Sequence, residues 1–98
     1  MKPRLIIRPE AEAELAEAFE WYERRVPGLG ADFLTAVDAA LDSLLSNPLQ
    51  HPLIYKVVRR ALTRRFPYQV LFVVEADVVT VIAVFHGTRD PKIWRDRI

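Results

Sequence analysis

The stretch Tyr55 to Trp94, YKVVRRALTRRFPYQVLFVVEADVVTVIAVFHGTRDPKIW, decides the fold and holds most of the concentrated positive charge. Phe66 to Val74 and Val78 to His86 are rich in Val, Ile, Phe and Tyr and are separated by Glu75-Ala76-Asp77, the pattern of two antiparallel strands joined by a short turn. Tyr55 to Leu62 is also β-prone, and Thr63-Arg64-Arg65 is short enough for a second turn. The spacing therefore predicts a three-strand meander. Alternate residues of a strand face opposite sides. Phe66, Tyr68, Val70, Phe72 and Val74 then share one face, with Leu71 and Val73 on the other. In the last strand Val79, Val81, Ala83 and Phe85 oppose Val78, Ile82 and Val84, so both faces of the sheet are apolar.

Upstream, Lys2 to Arg8 reads as a short first strand, and Pro9 as the start of a helix, since proline is tolerated where the amide hydrogen has no helical partner. Glu10, Glu12 and Glu14 near its beginning and Arg24 and Arg25 at its end complement the helix dipole. Ala11, Leu15, Ala18 and Tyr22 recur at spacings of three and four, giving one apolar stripe that ends at Val26-Pro27-Gly28. A second helix runs from Leu29 or Gly30 to Ser46, with Phe33, Val37, Ala40, Leu41, Leu44 and Leu45 on its apolar stripe, and Asn47-Pro48 stops it. The short connection makes the two helices an antiparallel hairpin. The order β-α-α-β-β-β is an α+β fold, with the helical hairpin packed on one face of a small, mostly antiparallel sheet. Two helices cover one face, so Leu71 and Val73 on the other are expected to be exposed unless a second chain covers them.

Ninety-eight residues, 51% hydrophobic and 28% charged, suit one domain over residues 1–98 with one core. Leu5-Ile6-Ile7 is too short for a signal-peptide core and nothing approaches a membrane span, so a cytoplasmic protein without a membrane partner is expected. With no cysteine and two isolated histidines, neither a metal nor a cofactor is expected. The net charge of +1 conceals a division. Residues 1–54 carry five Lys or Arg against nine Asp or Glu, a balance of −4, and residues 55–98 carry nine against four, a balance of +5. The basic half either meets a polyanion or acidic partner, or neutralises the acidic half across the fold.

Four segments, PEAEAELAEAFEWYERRVPGLGADFL, NPLQHP, VRRALTRRFPYQVLF and VIAVFHGTRDPKIW, together resemble the ParE branch of the ParE/RelE toxin superfamily of type II toxin–antitoxin pairs. Arg65-Phe66-Pro67-Tyr68 and Ala83 to Pro91 carry the resemblance most specifically, and it covers essentially the whole chain. It implies the β-α-α-β-β-β architecture and a cognate antitoxin whose C-terminal segment wraps along the toxin in a hetero-oligomeric complex. It also implies DNA gyrase as target, poisoned without catalysis. The alternatives are a RelE-like mRNA endonuclease acting on the ribosome, or a degenerate toxin that only binds its antitoxin.

Fold is shared between these functions, so the site has to decide. Cleavage through a ribose 2′-hydroxyl needs a base, an acid and cations around the phosphate. His86, Arg65 and Arg89 are the residues for that chemistry. RelE-like toxins use a C-terminal tyrosine where this chain has Trp94, whose indole accepts no proton, so no catalytic residue is expected in the ParE-like reading. Target contact is expected from Arg59, Arg60, Arg64, Arg65, Arg89, Lys92, Trp94 and Arg95, with Trp94 in an exposed basic tail. Leu71, Val73 and Trp21 are the candidates for antitoxin contact. The structural alternatives are a His86 bonded to its loop, an Arg89–Asp90 pair, a solvated arginine strand end, and Trp94 as a lid on the sheet. Trp21 and Arg25 are spaced for a cation–π contact, Tyr22 suits the core, and His51 reads as exposed loop.

Overall fold

The computed structural model describes residues 3–98; Lys2, placed above in the first strand, lies outside the described residues. Strand β1 (Arg4–Ile7) leads into α1 (Pro9–Arg25) and α2 (Leu29–Ser46). A 3-10 turn (Pro48–Gln50) precedes β2 (Leu53–Tyr55), β3 (Val58–Leu62), β4 (Tyr68–Glu75) and β5 (Val78–His86), and α3 (Lys92–Arg95) ends the chain. The five strands form one sheet in the order β1-β5-β4-β3-β2, with β1 parallel to β5 and the other neighbours antiparallel. The α+β reading holds, with a helical hairpin against a mostly antiparallel sheet.

The hairpin closes tightly because Glu23 serves as a remote cap. Its carboxylate accepts the N–H groups of Gly28 and Gly30, both at 2.9 Å, where the start of α2 has no helical partners for them. Gly28 sits at φ +90, a conformation open to glycine, and a Cβ on Gly30 would fall 2.8 Å from the Phe19 ring. Below the hairpin Tyr22, Phe33, Phe66 and Tyr68 form an aromatic cluster with centroids 4.9 to 6.2 Å apart. That places Tyr22 in the core as expected and gives the Phe66-Pro67-Tyr68 segment its packing role. Buried Thr63 holds the loop before β4, its hydroxyl donating to the carbonyls of Phe66 at 3.0 Å and Tyr68 at 2.8 Å.

Three strand expectations are corrected. Tyr55 to Leu62 is two strands, because the chain reverses at Lys56-Val57 with Lys56 at φ +50. The second strand begins at Tyr68 rather than Phe66, the intervening residues being a loop with Arg65 at φ +75. In β5 the alternation breaks: Leu71 pairs with Ala83 and Phe72 with Val81, leaving Ile82 as an extra residue. This β-bulge reverses the parity beyond it. Ile82, Ala83 and Phe85 face away from the helical hairpin, and Val84 faces it with Val79 and Val81.

The second face of the sheet is not left open. Val58, Leu71, Ile82, Ala83, Phe85 and Trp94 form a second buried cluster, flanked by Ile54, Tyr55 and Val73. The chain's own C-terminus is the lid, with Trp94 only 3% exposed. Two apolar clusters, one on each side of the sheet, thus replace the single expected core. Among the described residues, no helix is long and apolar enough to cross a membrane.

Candidate functional site

An open cleft of about 680 Å³ lies between α1 and the ends of β4 and β5. It exists because β1 pairs with β5 only as far as Val81, so the rest of β5 has no strand on that side. Glu14, Glu17, Ala18 and Trp21, at the i, i+3, i+4, i+7 spacing of one helix face, form one wall. Tyr68, Val84, His86 and Arg89 line the other, and Glu20 joins the rim.

At the floor, Glu14 and Arg97 seal the unpaired backbone of β5. Arg97 donates from Nη1 to Glu14 Oε1 at 3.0 Å and from Nη2 to Oε2 at 2.9 Å. The same Nη1 reaches the Ile82 carbonyl at 2.9 Å, and the Val84 N–H donates to Glu14 Oε1 at 3.1 Å. Arg8 adds a bond from its Nη1 to the Arg97 carbonyl at 3.2 Å. The pair thus supplies the partners that β1 would supply if it were longer. The hydrogen bond that Arg97 donates to Glu14 holds its guanidinium above its ordinary pKa, against the opposing effect of burial.

His86 Nδ1 lies 2.8 Å from Thr88 Oγ1 and 3.1 Å from the Thr88 nitrogen, so its ring is fastened to the loop that follows it. The ring stands edge-on to Tyr68 at 5.1 Å between centroids. Burial, and then neighbouring Tyr22, push the Tyr68 phenol above its usual pKa; Arg89 acts in the opposite direction. Of the nuclease set, His86 and Arg89 share the cleft. Arg65 does not line it: it lies 3.4 Å from Asp32 and over the Phe66 ring. On the facing helix Glu14 is already neutralised by Arg97, and the exposed Glu17 and Glu20 are set against Arg24 and Arg89, so the lining gathers no excess of cations for a phosphodiester.

The four arginines around β3 do not form one patch. Arg59 clamps the 3-10 turn, donating to the carbonyls of Leu49 at 3.2 Å and His51 at 2.7 Å. Arg60 and Arg64 are exposed and Arg65 is drawn toward α2. Arg89 lies over Phe85 and does not pair with Asp90, whose Oδ1 accepts the Lys92 N–H at 3.0 Å and so opens α3. Lys92 is bonded to Asp96 at 2.8 Å, which raises its pKa. Arg95 lies over Tyr55 at 4.6 Å.

Two expected contact residues are buried. Leu71 is fully covered and Trp94 nearly so, because the C-terminal turn folds back on the sheet instead of extending from it. Neither is a surface contact in this structure, and Val73 is half-buried beside them. Trp21 is 47% exposed in the cleft wall with Arg25 over its ring at 4.2 Å. His51 is half-buried rather than exposed, its Nε2 3.3 Å from Ser43 Oγ and its ring against Phe72. Sequence reasoning missed Glu17, Glu20 and the structural part of Glu14, although the helical spacing from Glu14 to Trp21 was visible.

A search of the curated proteins finds no match. Among solved structures, the chain is similar to one from the chromosomal ParDE TA system from P. aeruginosa, with a TM-score of 0.76 at 17% identity, covering 87% of this chain and 96% of that one. That likeness concerns the fold. The model of the family described as the ParE toxin of type II toxin-antitoxin system, parDE, matches residues 5–91, which takes in α1, α2, β2 to β5, all of β1 but Arg4, and the residues lining the cleft, and stops short of α3. The chain therefore belongs to the ParE toxin family of type II toxin–antitoxin systems.

Proposed function

We propose that the chain is a toxin that acts by binding, with DNA gyrase as its target, and that a cognate antitoxin neutralises it by occupying the cleft between α1 and β5. The family match supports the toxin–antitoxin pairing. The observation that carries the non-catalytic reading is that Glu17 and Glu20 offset Arg24 and Arg89 in the cleft that holds His86, with Arg65 elsewhere. A nuclease needs an excess of cations converging on a phosphate, and the cleft around His86 sets as many exposed carboxylates as arginines. The α1 wall, with Glu17, Glu20 and Trp21 exposed, suits a polypeptide segment carrying basic and apolar side chains. An intracellular target puts the toxin in the cytoplasm, held in a hetero-oligomeric complex until the antitoxin is lost.

A gyrase supercoiling assay run beside a translation-coupled mRNA cleavage assay tests this. Inhibited supercoiling with intact mRNA is expected. Cut mRNA with unaffected gyrase would replace it with the endonuclease reading, and inertness in both assays with retained antitoxin binding would leave a degenerate toxin.

A further inference from the structure

We propose that this chain itself binds the backbone of duplex DNA, through a cation cluster built around Tyr55 on the side of the sheet covered by α3. The inference does not depend on gyrase being the target, since it concerns direct contact between toxin and DNA.

Arg95 from α3 lies over the Tyr55 ring at 4.6 Å and Lys56 from the β2–β3 turn at 5.2 Å, so the two charges sit within about 10 Å of one another although 39 residues separate them. Arg60 is on the same side. It lies two residues along β3 from Val58, which is buried in the α3-side cluster, and its register partner on β4 is Leu71 of that cluster. All three cations are exposed, and among the described residues none has a carboxylate within 4.0 Å. The acidic groups near α3 are engaged elsewhere, Asp96 with the Lys92 ammonium and Asp90 with the Lys92 backbone. Lys56 is moreover held at φ +50, a conformation that L side chains adopt at a cost, in an exposed turn where glycine or asparagine is the usual choice.

Three exposed cations without carboxylate partners on one surface call for a polyanion. A duplex fits better than a single strand. Single strands are held by aromatic rings open to the bases, whereas Tyr55 is engaged by Arg95, by Lys56 and by Trp94, edge-on at 5.7 Å. What remains is contact with phosphates, which positions a protein on a duplex without reading its sequence.

The test is fluorescence anisotropy of a labelled duplex of arbitrary sequence titrated with the purified full chain over a range of salt. Affinity should fall linearly with salt on logarithmic axes, and the variant combining Lys56→Gly with Arg95→Gln should reduce the slope by about 2 and weaken binding at least about tenfold at low salt. Lys56→Gly alone should lose about 0.9 of the slope with no loss of thermal stability, because glycine suits that turn; this separates binding from folding. Arg24→Gln, on the opposite side, removes one charge outside the cluster and should leave the slope unchanged. The proposal is overturned if the double variant keeps the parental slope, if Arg24→Gln lowers it as much as Lys56→Gly does, if a single strand binds as tightly as the duplex, or if polyglutamate competes as well as DNA.

Discussion

Glu14 and Arg97, 83 positions apart, meet in a two-pronged ion pair at 3.0 and 2.9 Å that joins the first long helix to the C-terminus. Their side chains are only 11% and 14% exposed, and the same atoms satisfy the backbone of β5 at its bulge. Removing one partner leaves a largely buried charge alone, which costs on the order of 3 kcal/mol. Glu14→Gln should therefore lower the melting temperature by about 12 to 20 °C in a chain of this size. Urea unfolding of Glu14→Gln, Arg97→Met and the double variant measures it. A double variant no worse than the singles would show the coupling, whereas additive losses would sink the claim that the two act as a unit.

Trp94 supplies the second expectation. Its ring fills the cluster beneath α3, while its indole N–H is buried with no hydrogen-bond partner among the described residues. Trp94→Ala should cost about 3 to 5 kcal/mol, as large aromatic truncations in cores do. Trp94→Phe keeps most of the ring and removes the orphaned donor, so it should cost well under half as much. Removal of the residues after Pro91 should unfold the chain, since it deletes both Trp94 and Arg97. A truncated chain with parental stability in urea would show that α3 is dispensable.

The Glu14–Arg97 pair and Trp94 mark the limit of what was legible in the sequence. Both helices lie where Pro9, Gly28 and Asn47-Pro48 put them, because local chemistry fixes helix ends. The β4 faces follow alternation, as Leu71 on one side and Val70 and Phe72 on the other show. Alternation failed in β5 at Ile82, where a bulge that no local pattern announces intervenes and Glu14 and Arg97 bond the backbone. The same distance in sequence hid the fate of Trp94: an aromatic among cations reads locally as an exposed anchor, and only the bulged sheet beneath it makes a place for it. The arginines misled for a related reason, since β3 sends Arg59 and Arg60 to opposite faces.

Tyr22 and Tyr68 predict the alkaline limit of stability. Burial raises both phenols above the ordinary value of 10.0. The folded chain therefore disfavours phenolate relative to the unfolded one. Their contribution is fully present below the unfolded pKa and is lost as pH rises through the higher folded values. Stability should be flat on approaching pH 10 and fall above it, and Tyr68→Phe should make that fall shallower. Denaturation midpoints across the alkaline range, with phenolate absorbance followed in parallel, decide it; a Tyr68→Phe curve parallel to the parent would refute it.

His86 distinguishes binding from catalysis. Its Nδ1 is committed to Thr88, a role that glutamine can partly reproduce, whereas glutamine cannot exchange protons near neutral pH. Induced expression of His86→Gln should still arrest growth to nearly the parental extent. Loss of arrest in a variant that folds and binds antitoxin normally would return the endonuclease to first place.

The cleft itself is tested by separating neutralisation from toxicity. Glu17 and Glu20 bring negative charge to its rim, and Trp21, nearly half exposed, is the largest apolar group in its wall. If the antitoxin lies there, Trp21→Ala should weaken the complex by about 2 kcal/mol, near thirtyfold, as central aromatic anchors do. Reversing Glu17 and Glu20 to Lys should slow association, with the difference shrinking as salt is added. In a variant that still arrests growth by itself, co-expressed antitoxin should then fail to rescue it. Titration calorimetry with the cognate antitoxin gives the affinity and a growth assay gives the rescue. Parental affinity in the Trp21→Ala chain, together with full rescue of the charge-reversed one, would move the antitoxin off this cleft.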